Sequence, residues 1–191
     1  MPVGVHKVIA IGASTGGVDA LEKVLSGFSS SIPPVLIVQH MPPHFTRLFA
    51  ERLDAILKLS VKEAKTGDRL EPGQVLLAPG GKHMRLINKM GRLEVECFEG
   101  EKVQFVIPSA DVLFESIAQV SGLSSIGVIL TGVGGDGARG LLKMRASGAQ
   151  TIGQDKATCE IYGMPKVAYE MGAVEHVLPL RQIAAKVMSL V

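Results

Sequence analysis

Aromatic residues are scarce in this sequence: six Phe, two Tyr and no Trp make up 4% of the chain. Proteins that bind single-stranded nucleic acid stack bases on aromatic side chains, so this scarcity disfavours such a surface. An excess of one charge is also missing, because 20 Lys and Arg residues oppose 18 Asp and Glu residues, a net charge of +2. The basic patch typical of nucleic-acid binding is therefore not predicted, and we expect no nucleic-acid partner.

Long hydrophobic runs and paired cysteines are missing as well. The longest apolar runs, such as Val35-Leu36-Ile37-Val38, are far shorter than the ~18 residues of a membrane span. The N-terminus has no convincing signal-peptide cleavage site, so neither membrane insertion nor secretion is predicted. Cys97 and Cys159 lie far apart and form no CxxC motif, which indicates free thiols in a cytoplasmic protein rather than a disulfide scaffold.

Glycine, by contrast, is abundant, with 22 residues in 191. Eight of these glycines lie in two short segments, 12–17 and 131–140. Such clustering indicates loops that need positive φ angles or a close approach of backbone. The length and the 47% of hydrophobic residues fit one domain with a sizeable core, and we expect residues 1–191 to form a single domain.

Short apolar runs alternate with amphipathic segments along the chain. The predicted strands are 8–11, 35–38, 75–78, 126–130, 150–153 and 173–178, and the predicted helices are 18–25, 43–57, 110–120, 138–145 and 180–190. Apolar strands that alternate with helices predict an α/β fold, with a doubly wound, mostly parallel sheet and helices on both faces. Residues 83–98 break this rhythm, because their alternating polarity predicts an antiparallel hairpin.

Candidate functional residues lie where the predicted strands end, because ligands bind beyond the carboxyl ends of such strands. The first strand runs into Gly12-Ala13-Ser14-Thr15-Gly16-Gly17, and Gly12-x-Ser14-x-Gly16 has the spacing of a nucleophile elbow between strand and helix. The helix N-terminus after Ser14 suits a developing oxyanion. The same glycines and helix dipole are also typical of a phosphate-binding turn, and the loop alone favours neither function.

Two further strand ends carry a histidine and an aspartate. His40 follows the second strand and could accept the Ser14 proton as a general base, or be a packed histidine at a helix entry. Asp136 lies in the glycine-rich loop after strand 126–130; it could orient that imidazole, cap the next helix or belong to a phosphate-binding loop. Together these residues predict a Ser-His-Asp site. Their chain order excludes an α/β-hydrolase, in which the acidic residue precedes the histidine.

Two other patterns point to metal or nucleotide binding, and both are disfavoured. His44 lies four residues after His40, but two prolines between them disfavour a shared helical face, so no metal site is predicted. Tyr162 and Lys166 spell the YxxxK pair of short-chain dehydrogenases, but a glycine and a proline between them disfavour the helix that the pair needs. We therefore expect no cofactor.

Seven sequence blocks follow one another over nearly the whole chain. They are Ile11-Gly-Ala-Ser-Thr-Gly-Gly17, Gln39-His-Met-Pro42, Leu76-Leu-Ala-Pro-Gly80 with His83-Met84, Pro108-Ser-Ala-Asp-Val-Leu-Phe114, Leu130-Thr-Gly-Val-Gly-Gly-Asp-Gly137, Thr158-Cys-Glu-Ile-Tyr-Gly-Met-Pro165 and Gly172-Ala-Val-Glu-His-Val-Leu-Pro179. In this order they resemble the C-terminal catalytic domain of the CheB family of chemotaxis receptor methylesterases. The resemblance implies a doubly wound parallel sheet, with Ser14 as nucleophile, His40 as general base and Asp136 as the residue that orients His40.

The resemblance also implies a substrate and a reaction. The substrate would be a glutamyl γ-methyl ester on the cytoplasmic helices of a methyl-accepting chemotaxis receptor, and methanol would be released. Many family members also deamidate receptor glutamines through the same acyl intermediate. A non-catalytic module that binds phosphate or a nucleotide with its two glycine-rich loops is the alternative.

This sequence departs from the family pattern in two respects. Val133 stands where the family usually has Met, and Gly135 where it often has Asn. Thr15 and Val133 are the candidate oxyanion-hole or substrate residues, and at position 133 only a role of the backbone N–H survives the loss of the Met side chain. The usual family member also has an N-terminal receiver domain, phosphorylated by the chemotaxis histidine kinase, and the acidic residues of a receiver are absent here. We therefore expect the catalytic domain alone, in the cytoplasm. Arg139 and Lys143 are candidate contacts for acidic receptor helices, or a solvated helix face.

Overall fold

The structure is a computed structural model that describes residues 5–191 and contains fifteen helices and strands. The strands are β1 (Lys7–Ala13), β2 (Val35–Gln39), β3 (Ser60–Glu63), β4 (Gln74–Leu77), β5 (His83–Lys89), β6 (Arg92–Phe98), β7 (Ser124–Ile129), β8 (Gln150–Gln154) and β9 (His176–Leu178). The helices are α1 (Gly17–Ser26), α2 (Phe45–Ile56), α3 (Ala110–Ala118), α4 (Ala138–Ala146), α5 (Met164–Glu170) and α6 (Leu180–Ser189).

Seven of the strands form one parallel sheet in the order β3-β4-β2-β1-β7-β8-β9. The chain leaves the central strand β1 toward β2 and later continues on the other side of β1 with β7. This change of direction opens a crevice at the carboxyl ends of β1, β2 and β7, which is where ligands bind in such sheets. The predicted parallel α/β fold is confirmed.

Side chains of each strand alternate between the two faces of the sheet, because a strand has a period of two residues. In β1, Val8 and Ala10 belong to a core formed with α3, α4 and α5, whereas Ile9 and Ile11 belong to a core formed with α1, α2 and α6. All four are fully buried. The sheet is therefore covered on both faces, as predicted. None of the helices within residues 5–191 is long and apolar enough to cross a bilayer.

The hairpin predicted at 83–98 is present as a separate sheet of β5 and β6. It packs on the α3 side of the molecule, where Met84, Leu86 and Val95 enter the core. Strand β3, by contrast, is not predicted from the sequence. It lies at the sheet edge, and its one apolar residue, Val61, is too weak a periodic signal to predict a strand.

Candidate active site

Ser14 lies just beyond the end of β1, at the centre of the sheet. Ser14 and His40 are the first residues after the last pair between β1 and β2, so they occupy neighbouring positions on adjacent parallel strands. The Ser14 N–H donates to the carbonyl oxygen of Thr131 at 3.0 Å, which ties Ser14 to the loop after β7. A Cβ added to Gly132 would lie 2.6 Å from the Ser14 Cβ, so the loop approaches this closely only because residue 132 is glycine.

His40 and Asp136 are in direct contact. The His40 Nε2 lies 2.7 Å from the Asp136 Oδ2, and the two side chains are only 11% and 3% exposed. They come from the loops after β2 and β7, the two strands that flank β1. The structure thus brings the predicted histidine and aspartate together beside Ser14. Because Nε2 faces Asp136, Nδ1 is the ring nitrogen left to interact with a third group.

The Asp136 carboxylate accepts hydrogen bonds from the first turn of α3 as well as from His40. Its Oδ2 also accepts from the Ala110 N–H at 2.7 Å, and its Oδ1 accepts from the Ser109 hydroxyl at 2.6 Å and the Asp111 N–H at 3.1 Å. Burial alone would raise the pKa of Asp136, but the hydrogen bonds from His40, Ser109 and Ala110 outweigh burial and lower this pKa below its ordinary value. Asp136 is therefore ionised near neutral pH.

Asp136 does not cap the helix that follows it, so that alternative is wrong. The N-cap residue of α4 is Gly137, and no side chain caps this helix. The carboxylate instead faces the N-terminus of α3, where the helix dipole favours a negative charge. The donor Ala110 lies 26 residues before Asp136 in the chain, which is why no local pattern predicts the contact.

Gln39 links the backbones of Ser14 and His40. Its Nε2 donates to the Ser14 carbonyl at 2.8 Å and to the His40 carbonyl at 3.3 Å, and the residue is 3% exposed. A Cβ on Gly17 would clash with the Gln39 Oε1 and lie 2.8 Å from the Ala13 Cβ, so the first residue of α1 must be glycine. No sequence motif predicts a role for Gln39. A polar residue at the end of an otherwise apolar strand is the signal that points to it.

His83 is a buried histidine for which no sequence motif predicts a role. Its Nδ1 accepts a hydrogen bond from the Ser109 N–H at 3.2 Å, and its Nε2 bonds the Glu101 carbonyl oxygen at 2.8 Å. Since Nδ1 is an acceptor, the ring proton lies on Nε2. His83 thereby holds Ser109 at the N-terminus of α3, and Ser109 in turn donates to Asp136.

The Ser109→Ala variant tests this arrangement around Asp136. The change removes one donor from the carboxylate, so we expect the pKa of Asp136 to rise toward its ordinary value. It also removes the N-cap acceptor of the Val112 N–H, which should lower the free energy of unfolding by about 1 kcal/mol. NMR titration of the Asp136 carboxyl carbon measures the first effect and chemical denaturation the second.

The change in the pKa of Asp136 should also alter how the stability of Ser109→Ala depends on pH. A carboxyl group with a lowered pKa in the folded state stabilises the protein above its unfolded pKa, and this contribution is lost as the pH falls through the folded pKa. Ser109→Ala should therefore lose the Asp136 contribution at a higher pH than the parent protein. Ser116→Ala, on the same helix but bonded to Leu86 and Leu113, is the control. An unchanged Asp136 titration in Ser109→Ala would contradict the prediction.

Thr15 and Val133, the two residues expected to supply oxyanion donors, lie in the loops after β1 and β7. Thr15 is exposed, and its carbonyl oxygen accepts from the Thr131 hydroxyl at 3.0 Å. Val133 is 59% exposed and follows Gly132, which packs against Ser14. Within residues 5–191 neither backbone N–H has a hydrogen-bond partner, so both donors are free.

Arg139 and Lys143, the candidate receptor contacts, form ion pairs between α4 and α3. The Arg139 Nε lies 3.4 Å from the Asp111 Oδ2, and the Lys143 Nζ lies 2.9 Å from the Glu115 Oε1. More than half of each basic side chain stays exposed. Their contact with a receptor therefore stays a prediction.

The remaining candidates lie outside this cluster. His44 is the N-cap residue of α2, with its ring edge-on to Phe45. Tyr162 precedes the first residue of α5, so Tyr162 and Lys166 do not share one helical face.

Both cysteines are poor nucleophiles. Burial, with a smaller effect of Asp68, raises the pKa of the Cys97 thiol to about 11. Burial, with a smaller effect of Asp155, raises that of Cys159 to about 11 as well. Both thiols are therefore protonated near neutral pH, and thiolates are the reactive form.

Comparison with known proteins places this arrangement in a family. The model of the CheB methylesterase family matches residues 9–187. The chain belongs to the CheB methylesterase family. A solved CheB structure, the catalytic domain of the Thermotoga maritima CheB methylesterase, is 39% identical to this chain. It superposes with a TM-score of 0.92 over 97% of this chain and 98% of that one.

Curated CheB relatives add names for the activity. A protein of Syntrophomonas wolfei named protein-glutamate methylesterase/protein-glutamine glutaminase 2 is 54% identical over 184 residues, which are 96% of this chain and 54% of that relative. A protein of Agrobacterium fabrum with the same name, without the number, is 51% identical over 186 residues, 97% of this chain and 53% of the relative. The chain thus spans about half the length of these CheB proteins. Their names favour a hydrolase over a phosphate- or nucleotide-binding module.

Proposed function

We propose that this chain hydrolyses glutamyl γ-methyl esters on the cytoplasmic helices of a methyl-accepting chemotaxis receptor and releases methanol. The observation that carries the proposal is the 2.7 Å contact between His40 and Asp136, next to Ser14 on the adjacent strand. The names of the CheB relatives supply the substrate class, a protein glutamate ester.

In the first step, Ser14 is the nucleophile and His40 the general base. Asp136 accepts the hydrogen bond of the His40 Nε2–H, which leaves the lone pair on Nδ1 to take the proton of the Ser14 hydroxyl. The serine oxygen attacks the ester carbonyl, and the free N–H groups of Thr15 and Val133 stabilise the oxyanion. Methanol then leaves with the proton from His40, and a glutamyl ester of Ser14 remains.

In the second step, water replaces methanol. His40 takes a proton from the water molecule, the resulting hydroxide attacks the acyl carbonyl, and Ser14 leaves with the proton that His40 returns. The products are a receptor glutamate and the free enzyme. Acid–base catalysis by His40 should contribute about 10²–10⁴ to the rate of each step.

Deamidation of receptor glutamine follows from the same steps with a different leaving group. Ammonia would leave in place of methanol, and the acyl intermediate would be identical. The second half of the names of the CheB relatives supports this activity.

We also propose that residues 1–191 act as one catalytic domain in the cytoplasm. The match to 98% of a solved CheB catalytic domain supports a single unit. About half of each curated relative lies outside the match, and we propose that in the full-length form this part is a receiver domain phosphorylated by the chemotaxis histidine kinase. Control by phosphorylation would then come from that domain.

Incubation with a methyl-labelled receptor tests the proposed function. We expect volatile labelled methanol, and we expect unmodified receptor glutamines to become glutamates, detected by the amide-to-acid mass change. Saturable binding of a nucleotide without release of methanol would overturn the proposal and favour the binding module. Methanol release without any mass change at glutamine would remove the deamidase activity alone.

A further inference from the structure

An apolar groove of about 450 Å³ opens directly beside His40. It is lined mainly by Met41, Pro42, Lys102, Phe105, Val106 and Ile107, and we call it the His40 groove. Apart from His40, Lys102 is the one ionisable residue among its lining residues in the described chain. The chemistry of the proposed hydrolysis uses none of these residues except His40.

Phe105 stands at the tip of a tight turn on the rim of this groove. The N–H and C=O groups of Val103 and Val106 bond each other at 3.0 Å, and the two central residues, Gln104 and Phe105, have φ angles of 49° and 68°. A two-residue turn of this kind favours Asn-Gly, because both central residues need positive φ. Phe105 is nevertheless 93% exposed. Neither burial nor backbone preference therefore explains a phenylalanine at this position.

The turn that carries Phe105 is anchored to the elements that hold Asp136. The Gln104 Nε2 donates to the Asp111 Oδ2 at 2.6 Å and to the Gly135 carbonyl at 3.3 Å. Asp111 is buried at the start of α3, and Gly135 directly precedes Asp136. The exposed phenyl ring is thus held at a defined position relative to His40. Strained backbone of this kind is concentrated at functional sites.

We propose that Phe105 is the apolar anchor with which the enzyme docks the helix that carries the glutamyl ester. This inference rests on the proposed function and names the surface that the substrate uses. An ester that reaches Ser14 and His40 places its flanking polypeptide across the His40 groove, because the groove begins at His40. Phe105 contacts an apolar side chain of that helix, and Lys102 contacts one of its carboxylates, since each hydrolysed ester leaves a glutamate on the helix.

The Phe105→Gly variant separates docking from folding. Glycine adopts a φ of 68° without strain, so we expect the melting temperature to rise by about 2–4 °C. Loss of the phenyl contact should lower kcat/KM for the methylated receptor by about 10- to 100-fold, mainly through KM. Met90→Gly is the matched control, because Met90 is 94% exposed with a φ of 52° at the tip of the β5–β6 hairpin. It should gain the same stability and keep the parent kcat/KM.

A small fluorophosphonate distinguishes failure of this inference from failure of the proposed function. The reagent labels Ser14 without docking a helix, so Phe105→Gly should react at the parent rate. A parent protein that neither releases methanol nor reacts overturns the proposed function. A parent protein that releases methanol, with an unchanged kcat/KM in Phe105→Gly, overturns only the docking role. Loss of fluorophosphonate labelling in Phe105→Gly would also overturn the docking role, because Phe105 would then support the catalytic geometry.

A separate pair of variants tests the proposed contact between Lys102 and a carboxylate of the substrate helix. Lys102→Ala should lower kcat/KM for the receptor several-fold at low salt, and the difference should shrink as salt is added, because exposed charges are screened. Lys89→Ala, an exposed lysine at the end of β5, is the control and should change little. Equal effects of the two substitutions would contradict the contact between Lys102 and a substrate carboxylate.

Discussion

Ser14→Ala is expected to lower kcat for methanol release by on the order of 10⁶-fold, because the proposed acyl intermediate forms on the Ser14 hydroxyl. The residual rate should come from the oxyanion donors and from substrate binding. The fold should not change. The Ser14 hydroxyl makes no hydrogen bond in the part of the chain that the structure describes, and alanine keeps the Cβ that Ser14 places beside Gly132.

Release of labelled methanol and the melting temperature together check this prediction. Ser189→Ala, at the end of α6 with its hydroxyl bonded only to the Lys186 carbonyl, is the matched control and should retain full activity. The Ser14 variant should also fail to react with the fluorophosphonate. Near-normal turnover by a folded Ser14→Ala protein would exclude the serine mechanism.

Asp136→Asn is expected to lower kcat by about 10⁴-fold and, in addition, to destabilise the fold. The loss of activity follows because an amide NH₂ facing the His40 Nε2 favours the wrong tautomer, with the proton on Nδ1, so the ring cannot accept the Ser14 proton. The destabilisation follows because the Asp136 carboxylate also accepts hydrogen bonds from the N-terminus of α3. A residue that only orients a histidine would not show this loss of stability.

Each oxygen of Asp136 accepts two hydrogen bonds, so asparagine has no good orientation. One oxygen faces the Ser109 hydroxyl and the Asp111 N–H, and the other faces His40 and the Ala110 N–H. Whichever oxygen becomes the NH₂ group, it points at a backbone N–H of α3. We expect the free energy of unfolding to fall by about 1–3 kcal/mol, the cost of an unsatisfied buried group.

Chemical denaturation and kcat, corrected for the folded fraction, measure the two effects separately. Asp54→Asn is the control, because the Asp54 carboxylate also accepts a backbone N–H, that of Val61 at 2.7 Å, but lies at α2. It should lose some stability and no activity. If Asp136→Asn loses stability but keeps kcat, Asp136 only holds α3 in place.

Most of the fold could be predicted from the sequence, because its signals are local. The buried strands before Ser14, before His40 and before the Asp136 loop are short apolar runs, and the sheet contains all three. The alternating pattern around Met90 likewise predicted a hairpin. Strand β3 was missed because edge strands are polar on one side and short, so that Val61 is its only apolar residue.

The candidate site could be predicted only in part. Ser14, His40 and Asp136 are candidates because each follows a strand, and the ends of parallel strands meet at one edge; their catalytic roles stay predictions. No role could be predicted for Gln39 and His83, because their side chains form hydrogen bonds with backbone groups. All residue types share these backbone groups, so the sequence does not show which of them a side chain will contact. The exposure of Phe105 was equally hidden, since an apolar residue in a sequence is ordinarily taken as buried.

The sequence by itself determined that this protein has a parallel α/β fold with a serine, a histidine and an aspartate at three strand ends. Periodicity, glycine clustering and residue type are local properties, and they suffice for that. Only the tertiary structure decided that Asp136 is held by the N-terminus of α3 and uses one oxygen for His40. The physical reason is that these donors are backbone N–H groups about 26 residues away in the chain. Every residue except proline has such a group, so residue type does not identify the donors, and only tertiary packing brings them to one carboxylate.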